Sequence, residues 1–424
     1  MLGSCRHEPH PWLTLSVSCF LILCVMTNGA VAEGLTVDEA LRLALQNNTA
    51  LQAQQYTITV AEGELRQART FPNNPHLEGE GLTGRAGHSP LQNARKYTVK
   101  LSQDIPLGGK WRQRQQIAAA GLERTTWDVQ NAQRELVKEV KETFYRILFL
   151  EEKRAFADQA VDLAQQLLQL AEERYRAGDS PQLDVNLARV EVQNVSRQRL
   201  EILSQLTQTR ATLNRLLARP PDAPLTVSGT LDAPPQPLDV ESLRQQALQQ
   251  RPDLRSRNAA VEVATGEVAL ARAQRVPDIE LAFIFEREDT GADIRQTFGG
   301  GLGFPLPLWN RNAGGIAAAQ ARTRVAALER TALQQVVTTE VTNTVTELQR
   351  LRASLQLFDE TILPQSRDNL ALLRQAFSAG EVGIVPLVTE QRTFITISNE
   401  YLETRLAYRT ALVALESILG GVTP

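Results

Sequence analysis

Apolar residues recur along this chain at two spacings, which alternate in a fixed order. From about Val37 to Ala68 they step by three and four, with Leu41, Leu45, Leu51 and Ile58 among them. This predicts one helix, stopped at Phe71-Pro72-Asn73-Asn74-Pro75. The spacing then changes to two. His76 to Leu82 and Lys96 to Ile105 read as strands around a polar loop, Gly84 to Arg95, that includes Gly87 and Pro90. In the second strand Tyr97, Val99 and Leu101 alternate with Thr98, Lys100 and Ser102. From Trp111 to Arg176 helical spacing returns without a proline and with one glycine, Gly121. Such a helix is ~100 Å long at 1.5 Å per residue, several times the width of a small domain. Its seam (Ala118, Leu122, Thr125, Val129, Ala132, Leu136, Val140, Phe144, Ile147) is that of a coiled coil.

The second half repeats the first. Val240–Leu254 follows the register of Val37–Leu51, and Ile117-Ala118-Ala119-Ala120 returns as Ile316-Ala317-Ala318-Ala319. Ile279, Leu281, Phe283 and Phe285 alternate with Glu280, Ala282, Ile284 and Glu286. After a loop around Asp289-Thr290-Gly291, the series Phe298, Gly300, Leu302 and Phe304 repeats the pattern. A second seam runs through Ala318, Ala321, Val325, Leu328, Ala332 and Val336, then Val341, Val345, Leu348, Leu355, Phe358 and Ile362. The turn Tyr175-Arg176-Ala177-Gly178-Asp179 returns as Phe377-Ser378-Ala379-Gly380-Glu381. A glycine closes each helical hairpin. Ser180-Pro181 offers an N-cap and a first-turn proline for the next helix, whereas Val385-Pro386 has no polar cap, so the second tip is expected to differ in shape. A period of roughly 200 residues is that of a duplicated half-molecule. The expected division is residues 33–218 and 238–424 as two repeats, joined by a linker, 219–237, that holds six prolines and has room for one short strand at Leu225-Thr226-Val227.

Strands with one polar and one apolar face suit a half-buried soluble sheet as well as a membrane barrel. The length and doubling of the helices favour the barrel. The predicted fold is mainly α with membrane β, its long helices packed closely yet wet on at least one side.

Residues 1–32 read as a signal peptide: Arg6, an apolar run from Trp12 to Met26, and the small-residue site Ala30-Val31-Ala32. The rival, a retained anchor, asks for a longer run. Lipidation wants small and aliphatic residues before a cysteine; Cys24 follows Leu23 and Cys19 has Ser16 three residues before it, which argues against it. Removing 32 of 424 residues leaves 392, without any of the three cysteines or two methionines. The mature chain then has no disulfide, thiolate nucleophile or soft metal ligand. His76 and His88 have no histidine partner at ligand spacing, so no metal site and no cofactor is expected. A net charge of −3 with interspersed signs gives no nucleic-acid footprint, and after residue 32 no apolar run spans a membrane as a helix.

No catalytic motif is present, and an enzyme is not expected. Gly108-Gly109, Gly299-Gly300-Gly301 and Gly314-Gly315 are expected at strand ends or strand-to-helix junctions, where backbone bending accounts for them better than phosphate binding. Glu172, Glu173 and Asp184 near the first tip are either a solvated helix face or, in an oligomer, carboxylates lining a cation pore. Trp111 and Trp309 each follow the second strand of a half. They suit a membrane-interface girdle or ordinary packing equally.

The order of elements, the tip Arg174-Tyr175-Arg176-Ala177-Gly178, and the junctions Gln103-Asp104-Ile105-Pro106-Leu107-Gly108-Gly109-Lys110 and Phe304–Ile316 resemble the TolC-type outer-membrane factors of tripartite efflux systems. The two junctions resemble their cobalt-zinc-cadmium branch. The resemblance covers essentially the whole mature chain. It implies a homotrimer in which each protomer gives four strands to a twelve-stranded outer-membrane barrel continued by a periplasmic α-barrel. It also implies a passive role, with energy from an inner-membrane RND-type pump reached through a periplasmic adaptor. The adaptor would meet the tips at Arg174, Tyr175, Gly178, Asp179 and Ser180, and at Phe377, Gly380 and Glu381. A soluble periplasmic tether, or a duct for drugs or proteins instead of heavy-metal cations, are the alternatives.

Overall fold

The computed structural model describes residues 34–85, 93–234, 238–290 and 293–421. The signal-peptide reading, Gly87, Pro90, Gly291, Pro235 and Pro237 lie outside the described residues. The N-terminal helical pattern forms two helices instead of the single one expected, α1 (Val37–Asn47) and α2 (Thr49–Arg69). Asn48 makes the break. Its backbone is extended, its Oδ1 accepts from the Leu51 amide at 3.0 Å, and its Nδ2 donates to the Leu216 carbonyl at 3.0 Å. Thr36 and Glu39 open α1 with a reciprocal capping box.

Four antiparallel strands follow in two pairs: β1 (His76–Arg85), β2 (Asn93–Ile105), β3 (Ile279–Asp289) and β4 (Ile294–Gly303), in the order β1-β2-β3-β4. The first pair runs further than the sequence pattern indicated, up to Arg85 opposite Asn93. Ladder hydrogen bonds need only backbone, so pairing continues after the apolar alternation ends.

Between the strand pairs lie α3 (Lys110–Ala177), 68 residues long, and α4 (Gln182–Leu216). The second repeat supplies α5 (Val240–Gln250), α6 (Pro252–Ala273), α7 (Ala313–Leu357), α8 (Leu363–Ser378) and α9 (Ile384–Ile418). Here the long rod is not continuous. A π-turn, Phe358–Ile362, separates α7 from α8. Pro364 has no N–H to give to the preceding turn, and widening that turn accommodates it. Val227 of the linker forms a parallel bridge with Leu35, ahead of α1.

The first predicted seam is buried or half-buried throughout, from Ala118 to Ile147. The start of the second is not: Ala318, Ala321, Val325, Leu328, Ala332 and Val336 are exposed, while Ala319 and Val337 are buried. The apolar stripe is real but no other helix of the chain covers it. From Val341 to Phe358 the prediction is met, with Val341, Val345 and Leu348 packed on Ala247, Leu254, Leu412 and Leu415, whereas Ile362 in the π-turn is exposed. A second core joins Leu41, Phe144, Ile147, Leu213 and Leu216, and two smaller ones hold the lower rods together.

On the strand side of these cores the helices stand in a row, α2 against α3, α3 against α6, and α6 against α7. A Cβ at Gly266 of α6 would lie 2.7 Å from Ile117 Cγ1 of α3, so this crossing requires glycine. The row has the order of the sheet: α2 and β1 end one side, α7 and β4 the other.

Arg251 occupies the α5–α6 break and is 4% exposed. Its guanidinium meets Asp253 at 2.6 Å and Glu340 of α7 at 2.5 Å. Asp253 also lies 4.0 Å from Arg134 of α3, which donates to Ser417 of α9 at 2.8 Å. Burial opposes the Asp253 charge, but Arg251 and then Arg134 outweigh it and hold the carboxyl below its ordinary range. Burial, reinforced by Arg251, pushes the Arg134 guanidinium down.

Candidate functional site

The sheet shows what each of its faces can contact. Leu77, Leu101, Phe283 and Gly300 share one rung, and Gly79, Val99, Phe285 and Phe298 the next rung on the same face. Leu77, Phe283, Phe298 and Leu302 remain largely exposed, with Phe298 at 67%. The opposite face carries Glu78, Glu80, Lys96, Lys100, Glu280 and Glu286, with Lys96–Glu286 at 2.7 Å and Lys100–Glu280 at 2.8 Å. Ion pairs on one side and bare phenylalanines on the other suit a wall between water and hydrocarbon. Among the described residues no helix is long and apolar enough to cross a membrane.

Where strands become helices, the two tryptophans differ. Trp111 donates to the Ala68 carbonyl at 2.9 Å and meets Phe71 edge-on at 5.7 Å, tying the start of α3 to the end of α2. Trp309 is 92% exposed, beside exposed Phe304, Leu306 and Leu308.

At the far end the two hairpin tips are alike, contrary to the expectation from Val385-Pro386. Gly178 and Gly380 are both left-handed, with φ of 83° and 82°. Asp179 N donates to Arg174 O and Gly178 N to Tyr175 O; Glu381 N to Ala376 O and Gly380 N to Phe377 O repeat the pattern. The restart of α4 also departs from expectation. Pro181 is the cap, the helix begins at Gln182, and the Ser180 hydroxyl is buried without a partner. Gly383 precedes α9 without a side-chain cap, so neither restart uses one.

Arg174 joins the tips. Its Nη1 donates to the Phe377 carbonyl at 2.9 Å, and its guanidinium lies 4.8 Å from the centre of the fully buried Phe377 ring. Tyr175, Asp179 and Glu381 are exposed around this joint. Glu172 sits 3.5 Å from both Arg176 and Arg189, so its charge is engaged. Exposed Glu173 and half-buried Asp184 make no ion pair among the described residues. Asp184 stands in the first turn of α4, where the helix dipole favours an acid.

The sequence reading named both Arg174 and Phe377 but had no signal for their contact. It also missed the exposed pair Tyr56 and Val60 on α2, visible afterwards as apolar residues four apart. Among the described residues no three His, Cys, Asp or Glu side chains converge as metal ligands.

A family model described as outer membrane efflux protein matches residues 40–219 and 243–421. The cobalt-zinc-cadmium resistance protein CzcC of Cupriavidus metallidurans is 27% identical over 389 residues, covering 92% of this chain and 91% of the relative. The pyoverdine export outer membrane protein OpmQ of Pseudomonas putida is 25% identical, over 81% of this chain and 75% of its own length. Among solved structures, CusC superposes with a TM-score of 0.77 at 19% identity, covering 91% of this chain and 92% of that one.

Proposed function

The chain belongs to the outer membrane efflux protein family, and on that premise we propose that it is the exit duct of a heavy-metal efflux assembly, built as a homotrimer. It is an efflux channel of the outer membrane and not an enzyme, and the tether alternative falls with the family. The observation that carries the trimer is the pair of free edges. Four strands cannot close a barrel; three copies give twelve, an allowed even number. Each copy would lay its α7 stripe on the α2 face of the next, a head-to-tail contact that closes as a ring. Heights agree with this. At 1.5 Å per residue, Tyr56 lies ~20 Å from the strand end of α2, and Val325 and Leu328 ~18 and ~22 Å from that of α7.

The tips joined by Arg174 would receive a periplasmic adaptor at Tyr175, Gly178, Asp179, Ser180, Gly380 and Glu381, and through it an inner-membrane RND-type pump; Phe377, expected among these contacts, is fully buried under Arg174 and braces the tip instead. Trp309 would sit at the membrane surface, with Trp111 bracing the junction behind it. The likeness to CzcC over most of both chains supports metal cations as cargo. A duct has no need to hold them tightly, and weak contact favours passage.

The test is to delete the gene and measure growth in cobalt, zinc, cadmium, copper and a panel of antibiotics. Sensitivity to metal, reversed by the intact gene, is expected. Sensitivity to antibiotics alone would replace the metal reading with a drug duct.

A further inference from the structure

The connections between strands and helices carry a charge imbalance that passage of cargo leaves unexplained. Residues 66–75, 104–116, 268–278 and 304–316 hold eight basic and two acidic residues, in a chain with 45 basic and 48 acidic overall. Lys110 is buried against Asp278 at 2.7 Å. The other seven, Arg66, Arg69, Arg112, Arg114, Arg272, Arg275 and Arg311, are exposed and make no ion pair with any described carboxylate.

They share one level of the molecule. The register places the start of β1, the end of β2, the start of β3 and the end of β4 at the same end of the sheet. Arg66 and Arg69 close α2, Arg112 and Arg114 open α3, Arg272 closes α6, and Arg275 and Arg311 lie in the connections. The five helical arginines fall within ~6 Å of their helix ends by helical rise, and Arg275 and Arg311 lie two residues beyond one. Exposed Phe304, Leu306, Leu308 and Trp309 lie in the same belt. A groove of about 510 Å³ between α2 and α3 adds Ala68, Pro72 and Trp111, with Arg114 and Glu64, to its lining.

Guanidinium groups bind phosphate through paired N–H donors, and cations beside interfacial aromatics suit a bilayer surface. We propose that this belt binds the headgroups of anionic phospholipids in the leaflet on the helical side of the membrane, anchoring the duct at a fixed depth. The inference rests on the membrane-duct reading. Unpaired positive charge without such a partner gains nothing and repels its neighbours, more so in three copies. The apolar members of the belt call for acyl chains as well as charge, which a soluble acidic partner lacks.

The detergent-purified full-length protein, titrated with phosphatidylglycerol and phosphatidylcholine of identical chains and read by native mass spectrometry, tests this. Each arginine near an anionic surface is worth about five-fold in binding. Retention of phosphatidylglycerol should therefore exceed that of phosphatidylcholine by tenfold or more. The quadruple variant Arg66→Gln, Arg69→Gln, Arg112→Gln, Arg114→Gln should reduce the preference to threefold or less, and the corresponding Lys variant should keep most of it. If the Gln quadruple does not fold, Arg272→Gln with Arg275→Gln carries the same test. Equal retention of both lipids, or an unchanged preference in the Gln variants, overturns the proposal. So does displacement of the lipid by dissolved glycerol phosphate, which would mark a site for a soluble anion. A protein that conducts in pure phosphatidylcholine bilayers yet shows no preference refutes the belt alone; one that enters no bilayer refutes the duct as well.

Discussion

Replacing Arg251 by methionine should open the corner where α3, α6, α7 and α9 meet. The side chain is 5% exposed and satisfies two carboxylates, Asp253 at 2.6 Å and Glu340 at 2.5 Å. Methionine fills much of its volume, so lost packing is a minor part of the effect. Removing one partner of a buried ion pair costs ~3–5 kcal/mol. Two features of the site reduce that figure. Glu340 is 42% exposed and can turn to water, and Arg134 remains 4.0 Å from Asp253. About 2–4 kcal/mol follows, or roughly 30- to 1,000-fold faster exchange of amide hydrogens that open locally, between residues 247 and 256. Adding Asp253→Asn should recover much of the loss, because no charge is then stranded. The same network has an acid limit. The folded-state pKa of Asp253 is depressed, so its stabilisation is complete above the unfolded value of about 3.9 and is lost as pH falls through the folded one. Wild-type protection at this corner should hold to about pH 4 and decline below it, whereas the methionine variant should show little of that decline. Exchange changed less than threefold at neutral pH, or no recovery in the double variant, would refute the reasoning.

Three further outcomes follow from particular contacts. Arg174→Ala removes a hydrogen bond to the Phe377 carbonyl and a stacked cation, about 1–3 kcal/mol together, and should make both tips more open to limited proteolysis, with Arg174→Lys between it and wild type; equal cleavage of all three would contradict the joint. Gly266→Ala places a methyl 2.7 Å from Ile117 Cγ1 and should destabilise by about 1–3 kcal/mol in thermal unfolding, with Ile117→Ala, which removes that carbon, partly restoring it. The Tyr401 phenol is pushed up to about 12 by burial and by the Asp359 carboxylate of the π-turn. Its contribution is complete below the ordinary tyrosine pKa of about 10 and is lost as pH rises through 12, so the ultraviolet titration difference between wild type and Tyr401→Phe should have its midpoint near 12 and not near 10.

Much of the architecture was legible because it depends on short-range signals. Alternation at Tyr97–Leu101 and Ile279–Phe285 marked strands, and Gly178 and Gly380 marked hairpin ends, since each signal acts within a few residues. Features set by distant partners were not legible. Asn48 breaks a helix partly by reaching Leu216, and Arg251 reads as a surface residue until α7 brings Glu340 to it. The stripe from Ala318 to Val336 was recognised as a close-packed seam, but which helix covers it was not. Apolar periodicity says that a face is covered without saying by which molecule. The joint at Arg174 escaped for the same reason, since 203 residues separate it from Phe377.

The central claim is that three copies close through the free edges of the helical row. If residues 1–32 are removed, the mature chain has no cysteine, so Tyr56→Cys with Leu328→Cys introduces the sole thiols. Mild oxidation of the purified double variant, followed by non-reducing electrophoresis, should give dimers and trimers and nothing larger, with either single variant remaining monomeric. Absence of cross-links, or a ladder continuing beyond three, would contradict a closed trimeric duct.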